Sequence, residues 1–334
     1  MNTIAFFEIK GWEQKYVQSR LKDFNLKFFE EEIEKVPISK YKDADIISVF
    51  IYSNVTAKII NQLSKLKIIT TRSTGYDHID LETAKKKKIV VANVPTYGDN
   101  TVAEHTFALI LSLSRHVHKS YVRTTKQNFS IEGLTGFDLK GKTIGIIGGG
   151  HIGLHVAKIA KGFGMKVLVF DIVKDKFLSE VIGFEYATME ELLKNSDIVS
   201  LHAPYNKHTH HLINKETLAL MKKGSILINT ARGGLVDTDA LYEALKSKKL
   251  GGAGLDVIEG EENILEEKDI IHHSENLDKM KDIVRNHEIF QMDNVVFTLH
   301  NAFNSQEALE RILDTTIKNI NRNLNSNSYN QVNN

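Results

Sequence analysis

Short apolar runs alternate with segments of helical periodicity along the first hundred residues. Residues 4–7, 46–51, 68–71 and 89–92 read as strands, and residues 56–65 and 81–87 as the helices between them. Strand and helix in regular alternation predict a parallel sheet. The same rhythm returns after residue 142. Strands are expected at 144–147, 167–170, 198–201, 225–229, 252–256 and 295–298, with helices at 154–163, 189–193 and 238–245 among those between them. Thr188 and Glu191 are spaced as a capping box for one of these helices. Between the two series, residues 100–117 read as one long helix that is apolar on more than one face. Such a helix is buried on several sides, as between domains or at a subunit interface. Residues 259–294 break the rhythm, being charged and long for a connection, and are expected to form an elaborated, functional loop. After Asn304, Leu309, Ile312, Leu313, Ile317, Ile320 and Leu324 repeat at helical spacing, and a polar, asparagine-rich tail follows.

The turn after the strand at 144–147 carries the most specific signal. Gly148, Gly150 and Gly153 stand in Gly-Gly-Gly-His-Ile-Gly, between that strand and the next helix, and Asp171 closes the following strand. Strand, glycine turn, helix, strand and acid in this order form the dinucleotide-binding fingerprint. Gly148 permits the tight turn, Gly150 lets backbone approach a pyrophosphate, and Gly153 lets helix and strand pack closely. The helix N-terminus offers unpaired N–H groups to the phosphates. Asp171 can accept the adenosine ribose hydroxyls and repels a 2′-phosphate, which favours NAD over NADP.

Composition narrows the partners. The 334 residues suit two domains, and 43 basic against 42 acidic residues leave a formal charge of +1. That balance does not attract nucleic acid or anionic membrane. No cysteine is present, so disulfides, thiolate metal sites and a cysteine nucleophile are excluded. Together with an N-terminus too short in apolar residues for export and no run of about 18 apolar residues, this points to a cytoplasmic enzyme. The basic run at 85–88 reads as a solvated helix end. The pairs His116/His118, His210/His211 and His272/His273 lack partners at metal-ligand spacing, and there is no HExxH, so no metal is expected.

Three polar residues follow apolar strands in the C-terminal half: Arg232, Glu261 and His300. Ligands of open α/β sheets bind at the carboxyl ends of strands, so these three are expected to meet the glycine loop there. Arginine offers a planar fork to a carboxylate. Histidine exchanges a proton near neutrality with an alcohol or ketone oxygen, and an acidic neighbour orients it.

With these residues in view, the chain resembles the D-2-hydroxyacid dehydrogenases from end to end. The runs 229–237 (Asn-Thr-Ala-Arg-Gly-Gly-Leu-Val-Asp), 252–261 (Gly-Ala-Gly-Leu-Asp-Val-Ile-Glu-Gly-Glu) and 298–303 (Thr-Leu-His-Asn-Ala-Phe) are similar to the family's catalytic blocks, and residues 96–105 to its hinge. Within the family the likeness is greatest to NAD-dependent D-lactate dehydrogenases, including the vancomycin-resistance type. It departs from the family pattern at Glu262, Leu299 and Asn301, Leu299 replacing the proline that usually precedes the catalytic histidine. The resemblance implies two doubly wound parallel α/β domains: a Rossmann NAD-binding domain, residues 101–298, inserted into a flavodoxin-like substrate domain, residues 1–100 and 299–334. It implies reduction of pyruvate to D-lactate by a homodimer. The alternatives are a D-2-hydroxyisocaproate-type enzyme for larger 2-keto acids and a non-catalytic NAD-sensing protein. Arg232, Glu261 and His300 would be catalytic. Thr74, Gly75, Tyr97, Phe303 and Tyr52 would bind substrate. His151 and Ile152 would lie at the pyrophosphate turn, Ala203 and Pro204 beside adenosine, Thr230, Ala231, Arg232 and Asp256 toward the nicotinamide, and Val102 behind its ring.

Overall fold

The computed structural model describes residues 1–261, 277–325 and 329–333. The chain divides into two compact units, Met1–Tyr97 with Ser305–Asn334, and Gly98–Asn304. The sequence boundary at 298/299 would give His300 and Phe303 to the smaller unit; the contacts group both with the larger. The reason is local: the carboxylate of Asp256 takes the backbone N–H groups of Asn301 and Ala302, so the turn stays with the sheet that bears Asp256.

The smaller unit is built on β1 (Thr3–Phe6), β2 (Asn25–Phe28), β3 (Ile46–Val49), β4 (Ile68–Thr71) and β5 (Val90–Ala92). Its order is β2-β1-β3-β4-β5 and every pairing is parallel, the flavodoxin-like arrangement. Alternation along β1 sends Ile4 and Phe6 into one core with Leu313, Ile317 and Ile320, and Ala5 and Phe7 into another with Ile47, Ile60 and Val91. The C-terminal helix Gln306–Leu324 thus covers one face of this sheet.

The larger unit carries β6 (Thr143–Ile147), β7 (Lys166–Phe170), β8 (Glu185–Tyr186), β9 (Ile198–Leu201), β10 (Ser225–Asn229), β11 (Leu250–Leu255) and β12 (Val295–Phe297). The order β12-β11-β10-β9-β6-β7-β8, again parallel throughout, is that of a Rossmann sheet extended by one strand, and it reverses between β6 and β9. Helix Asp99–Arg115 packs Phe107, Leu109, Ile110 and Leu113 against Ile144, Ile146 and Val156. Gly254 allows its close approach, since an added Cβ there would lie 3.0 Å from Leu109. The expected single helix at 100–117 is interrupted. His116 is left-handed at φ 50°, and a second helix, Val117–Thr125, starts after it.

The expected loop at 259–294 is in part a helix, Leu277–Phe290, which buries Ile283, Asn286 and Ile289. Its sparse apolar positions among many charges hid the helical period. Residues 262–276, with Glu262, His272 and His273, lie outside the described residues. No described helix is long and apolar enough to cross a membrane.

Candidate active site

The adjacent strands β10, β11 and β12 deliver Arg232, Glu261 and His300 at their carboxyl ends. Beyond β10 the chain turns on the buried amide of Asn229, which donates through Nδ2 to Arg232 O (2.9 Å) and accepts from the N–H of Ala231 (3.1 Å). The Arg232 side chain forms one hydrogen bond among the described residues, Nη1 to Ala231 O at 2.8 Å. Gly233 is required next: a Cβ there would come within 2.3 Å of the Ile258 carbonyl. The Arg232 turn therefore lies flush on the backbone that leads to Glu261.

Glu261 accepts the N–H of Ile258 through Oε2 (3.1 Å), and its Oε1 stands 2.7 Å from Nδ1 of His300. Both side chains are partly buried. An ionised carboxylate can only accept, so Nδ1 carries the proton and Nε2 is left for exchange with a ligand. His300 is left-handed, at φ 49°, and its N–H donates to Asp256 O at 2.8 Å. Leu299 is well exposed. The turn is thus held by hydrogen bonds where a proline would have held it by its ring.

Asp256 supplies most of those bonds. Its carboxylate accepts from Thr298 Oγ1, Asn301 N (3.0 Å) and Ala302 N (2.9 Å). His105 lies 3.5 Å away and also meets Thr298 at 2.9 Å. Burial pushes the Asp256 carboxyl up, but the bonds from His105, Thr298 and Ala302 outweigh it and hold the group below the usual carboxylate range. This carboxylate braces the turn that presents His300, and its Oδ2, which takes only the Ala302 N–H among the described residues, keeps a lone pair.

The glycine loop crosses the point where the strand order reverses. Gly148 has φ 101°, and a Cβ would sit 2.6 Å from the His202 carbonyl. At Gly153 a Cβ would lie 2.0 Å from Gly148 O, whereas at Gly150 it would meet nothing within 4 Å. Two glycines are therefore fixed by packing and one borders open space, as a backbone cradle for phosphate requires. Gly150 also precedes helix His151–Gly162, where Ile152 is partly buried and His151 is exposed, 3.5 Å from Asp99. The Asp171 carboxylate accepts Gly149 N at 2.6 Å and Val173 N at 2.8 Å, one per oxygen, which leaves each oxygen a lone pair for a ribose hydroxyl. The residues present fit a bound NAD. Val102 O accepts Thr106 Oγ1, which meets Thr230 Oγ1 at 3.0 Å, tying two expected cofactor positions together. Ala203 is partly buried and Pro204 exposed. His202, to which the sequence assigned nothing, pairs with Ser200 Oγ at 2.8 Å, and burial pushes its imidazole down to about 3. Neither His202 nor His105 had a marking pattern: each is one polar residue beside an apolar run.

The other expected substrate residues divide between the units, Phe303 in the larger and the rest in the smaller. Thr74 Oγ1 donates to Val94 O at 2.9 Å, and Asn93 Nδ2 donates to Thr74 O at 2.8 Å, fixing the 73–75 turn. The N–H groups of Thr74 and Gly75 enter no hydrogen bond among the described residues. Tyr52 is 42% exposed, and its N–H donates to Glu8. Tyr97 O accepts from Arg311 Nε at 2.7 Å.

Residues 107–302 match the family described as D-isomer specific 2-hydroxyacid dehydrogenase, NAD binding domain. The chain is similar to the D-lactate dehydrogenase of Escherichia coli, 35% identical over 95% of both chains. Among solved structures it is similar to D-lactate dehydrogenase from Aquifex aeolicus complexed with NAD and lactic acid. There the TM-score is 0.87 and the identity 42%, over 97% of this chain and 96% of the other. It is also similar to the pyruvate reductase of Chlamydomonas reinhardtii, with a TM-score of 0.86 and 34% identity over 98% of both.

Proposed function

The chain belongs to the D-isomer specific 2-hydroxyacid dehydrogenases, and on that premise we propose that it is an NAD-dependent D-lactate dehydrogenase that reduces pyruvate to D-lactate. The observation that carries this reading is the His300–Glu261 pair at 2.7 Å, borne on β12 and β11 beside β10 and Arg232, whose guanidinium has donors left uncommitted among the described residues.

NADH, when bound, supplies the hydride that reduces the keto carbon. Arg232 holds the substrate carboxylate and polarises its carbonyl. His300, charged during reduction, gives the Nε2 proton to the oxygen as negative charge develops there. Glu261 keeps Nδ1–H engaged and balances the imidazolium. Asp256 also positions the turn that bears His300. The N–H groups of Thr74 and Gly75 are suited to a carboxylate, and Tyr52, Tyr97 and Phe303 limit the substrate side chain. Gly148, Gly150, His151, Ile152 and Gly153 would hold the pyrophosphate, Asp171 the ribose diol, and Ala203 and Pro204 the adenosine. Thr230, Ala231, Arg232, Asp256 and Val102 would border the nicotinamide. On this reading residues 98–304 form the cofactor domain and the remainder the substrate domain.

A homodimer is part of the proposal, supported by exposed apolar side chains on the larger unit: Val117, Tyr121, Val122, Phe129 and Ile131 are each at least about half exposed. A monomeric mass in sedimentation would refute it. The cell compartment proposed is the cytoplasm, in keeping with a chain without cysteine.

The deciding experiment mixes the purified protein with NADH and a panel of 2-keto acids and follows NADH absorbance. Pyruvate should give the highest kcat/KM. A branched or aromatic keto acid ahead of pyruvate would replace the substrate, and NADH binding without turnover on any member would replace the enzyme with a sensor.

A further inference from the structure

One cluster of metal-type donors lies outside the residues assigned above. His210 and His211 end the turn that follows β9, and Glu259 comes from the segment after β11. His211 Nε2 is 2.9 Å from Glu259 Oε1, and the two imidazoles stack with centroids 3.8 Å apart. One donor atom from each of the three side chains lies within 4.8 Å of the other two. This corrects the expectation that His210 and His211 lack a partner. The partner is remote in sequence, 48 residues from His211.

Both backbones are anchored, so only side-chain rotation is needed to close on an ion. His210 N donates to Asn206 O at 2.9 Å, Thr209 Oγ1 to Pro204 O at 2.7 Å, and His211 N to Gly234 O at 2.9 Å. His211 holds a left-handed backbone, φ 49°, which seats its ring against His210. Opposite, Glu259 O accepts from Nδ2 of the fully buried Asn286 at 3.0 Å. Tyr205 OH engages Nδ1 of His210 at 3.2 Å, leaving Nε2 to serve as a ligand. A structural His–Glu hydrogen bond needs no second imidazole stacked on it. Two imidazoles and a carboxylate at about 2.0–2.2 Å from a common centre are the donor set of a zinc-type ion, with one position left for water. Calcium and magnesium prefer oxygen ligands alone.

We propose that His210, His211 and Glu259 bind a divalent transition-metal ion of the zinc class, which clamps the turn after β9 to the segment leading into Glu261. The ion has no part in hydride transfer. Its effect is to cross-link two loops of the larger unit.

The test uses the full chain, stripped with EDTA and dialysed, then titrated with Co²⁺ and with Zn²⁺. Co²⁺ should develop the visible bands of low-coordinate nitrogen–oxygen ligation and saturate near one ion per chain. His210→Gln and Glu259→Gln should each weaken binding by roughly tenfold or more. Zn²⁺ should raise the melting midpoint of the unaltered protein and not that of His210→Gln. Because His210 is exposed, its variant should fold and bind NADH normally. Binding weaker than about 1 mM overturns the proposal, since the ion would then contribute little stabilisation at ordinary concentrations. Equal binding in the unaltered protein and both variants also overturns it, because the ion would then sit on other histidines. Turnover is not among the readouts, so a negative result leaves the dehydrogenase reading intact.

Discussion

Each unit places an arginine and a glutamate at the carboxyl end of its sheet, and the two pairs behave differently. In the smaller unit Arg72, directly after β4, is 1% exposed. Its guanidinium donates to Phe7 O and Glu8 O at 2.7 Å and to Ser48 Oγ and O at 3.1 and 3.3 Å. The Glu8 carboxylate accepts the N–H groups of Phe50, Tyr52 and Ser53. In the larger unit Arg232 commits one donor to its own neighbour, and Glu261 turns an oxygen to a histidine ring. Residue type and place in the topology are the same. The difference is how much of the hydrogen-bonding capacity the fold has already satisfied. Satisfied capacity is architecture, and capacity held ready beside a titratable ring is chemistry.

The largest effect expected from this contrast is at His300. His300→Ala should lower kcat for pyruvate by about 10²- to 10⁴-fold, the usual worth of a general acid, while NADH binding, followed by fluorescence, persists. Unchanged turnover would remove His300 from the mechanism. Next come the two arginines, which should fail in opposite ways. Arg232→Ala loses two charge-assisted bonds to the substrate carboxylate, each about 1.5–3 kcal/mol, so kcat/KM should drop by roughly 10²–10⁴ with little change in urea midpoint. Arg72→Ala strips partners from buried carbonyls at about 1–3 kcal/mol each, so stability should fall by about 3 kcal/mol or more. If Arg232→Ala destabilised the protein as much as Arg72→Ala, the contrast would be lost.

A smaller effect sharpens the same idea at the cofactor. Asp171 commits one lone pair of each oxygen to backbone, which leaves capacity for the ribose. Asp171→Ala should cut the preference for NADH over NADPH by on the order of tenfold, both by losing those bonds and by removing a charge that repels the 2′-phosphate. An unchanged ratio of the two kcat/KM values would take cofactor choice away from this residue.

How much of this was legible in sequence depended on burial. Strands β1, β3, β4, β9 and β10 are buried along their whole length, so they read as continuous apolar runs. The missed strands, β2 and β8, are the edges of their sheets and are partly exposed, which mixes polar residues into them. Helix Gly11–Arg20 buries only Glu13 and Val17 and shows no stripe. Within the site, Arg232, Glu261 and His300 were visible because each follows an apolar strand. The work of Asp256 was not, because its partners at 298–302 reach it only when β12 pairs with β11. The carboxylate that His211 meets was hidden for the same reason. Spacing along a chain reports donors that share one turn or one helix, and Glu259 shares neither with His211.

The smallest prediction places a second histidine on the architectural side of the contrast. His202 is partly buried, bonded to Ser200, and pushed down to about 3 from the ordinary 6.5 by burial. A histidine whose folded pKa lies below its unfolded one binds fewer protons when folded. Its contribution is therefore complete above the unfolded value and is lost progressively as pH falls from 6.5 toward 3. Between pH 7 and pH 6 the loss from this one ring is at most about 0.7 kcal/mol. Urea unfolding at the two pH values should show this increment in the unaltered protein and lack it in His202→Gln, the other histidines cancelling in the difference. An equal pH slope in both proteins would mean that the His202 ring is solvated, and that its bond to Ser200 is a surface contact rather than part of the frame behind the glycine loop.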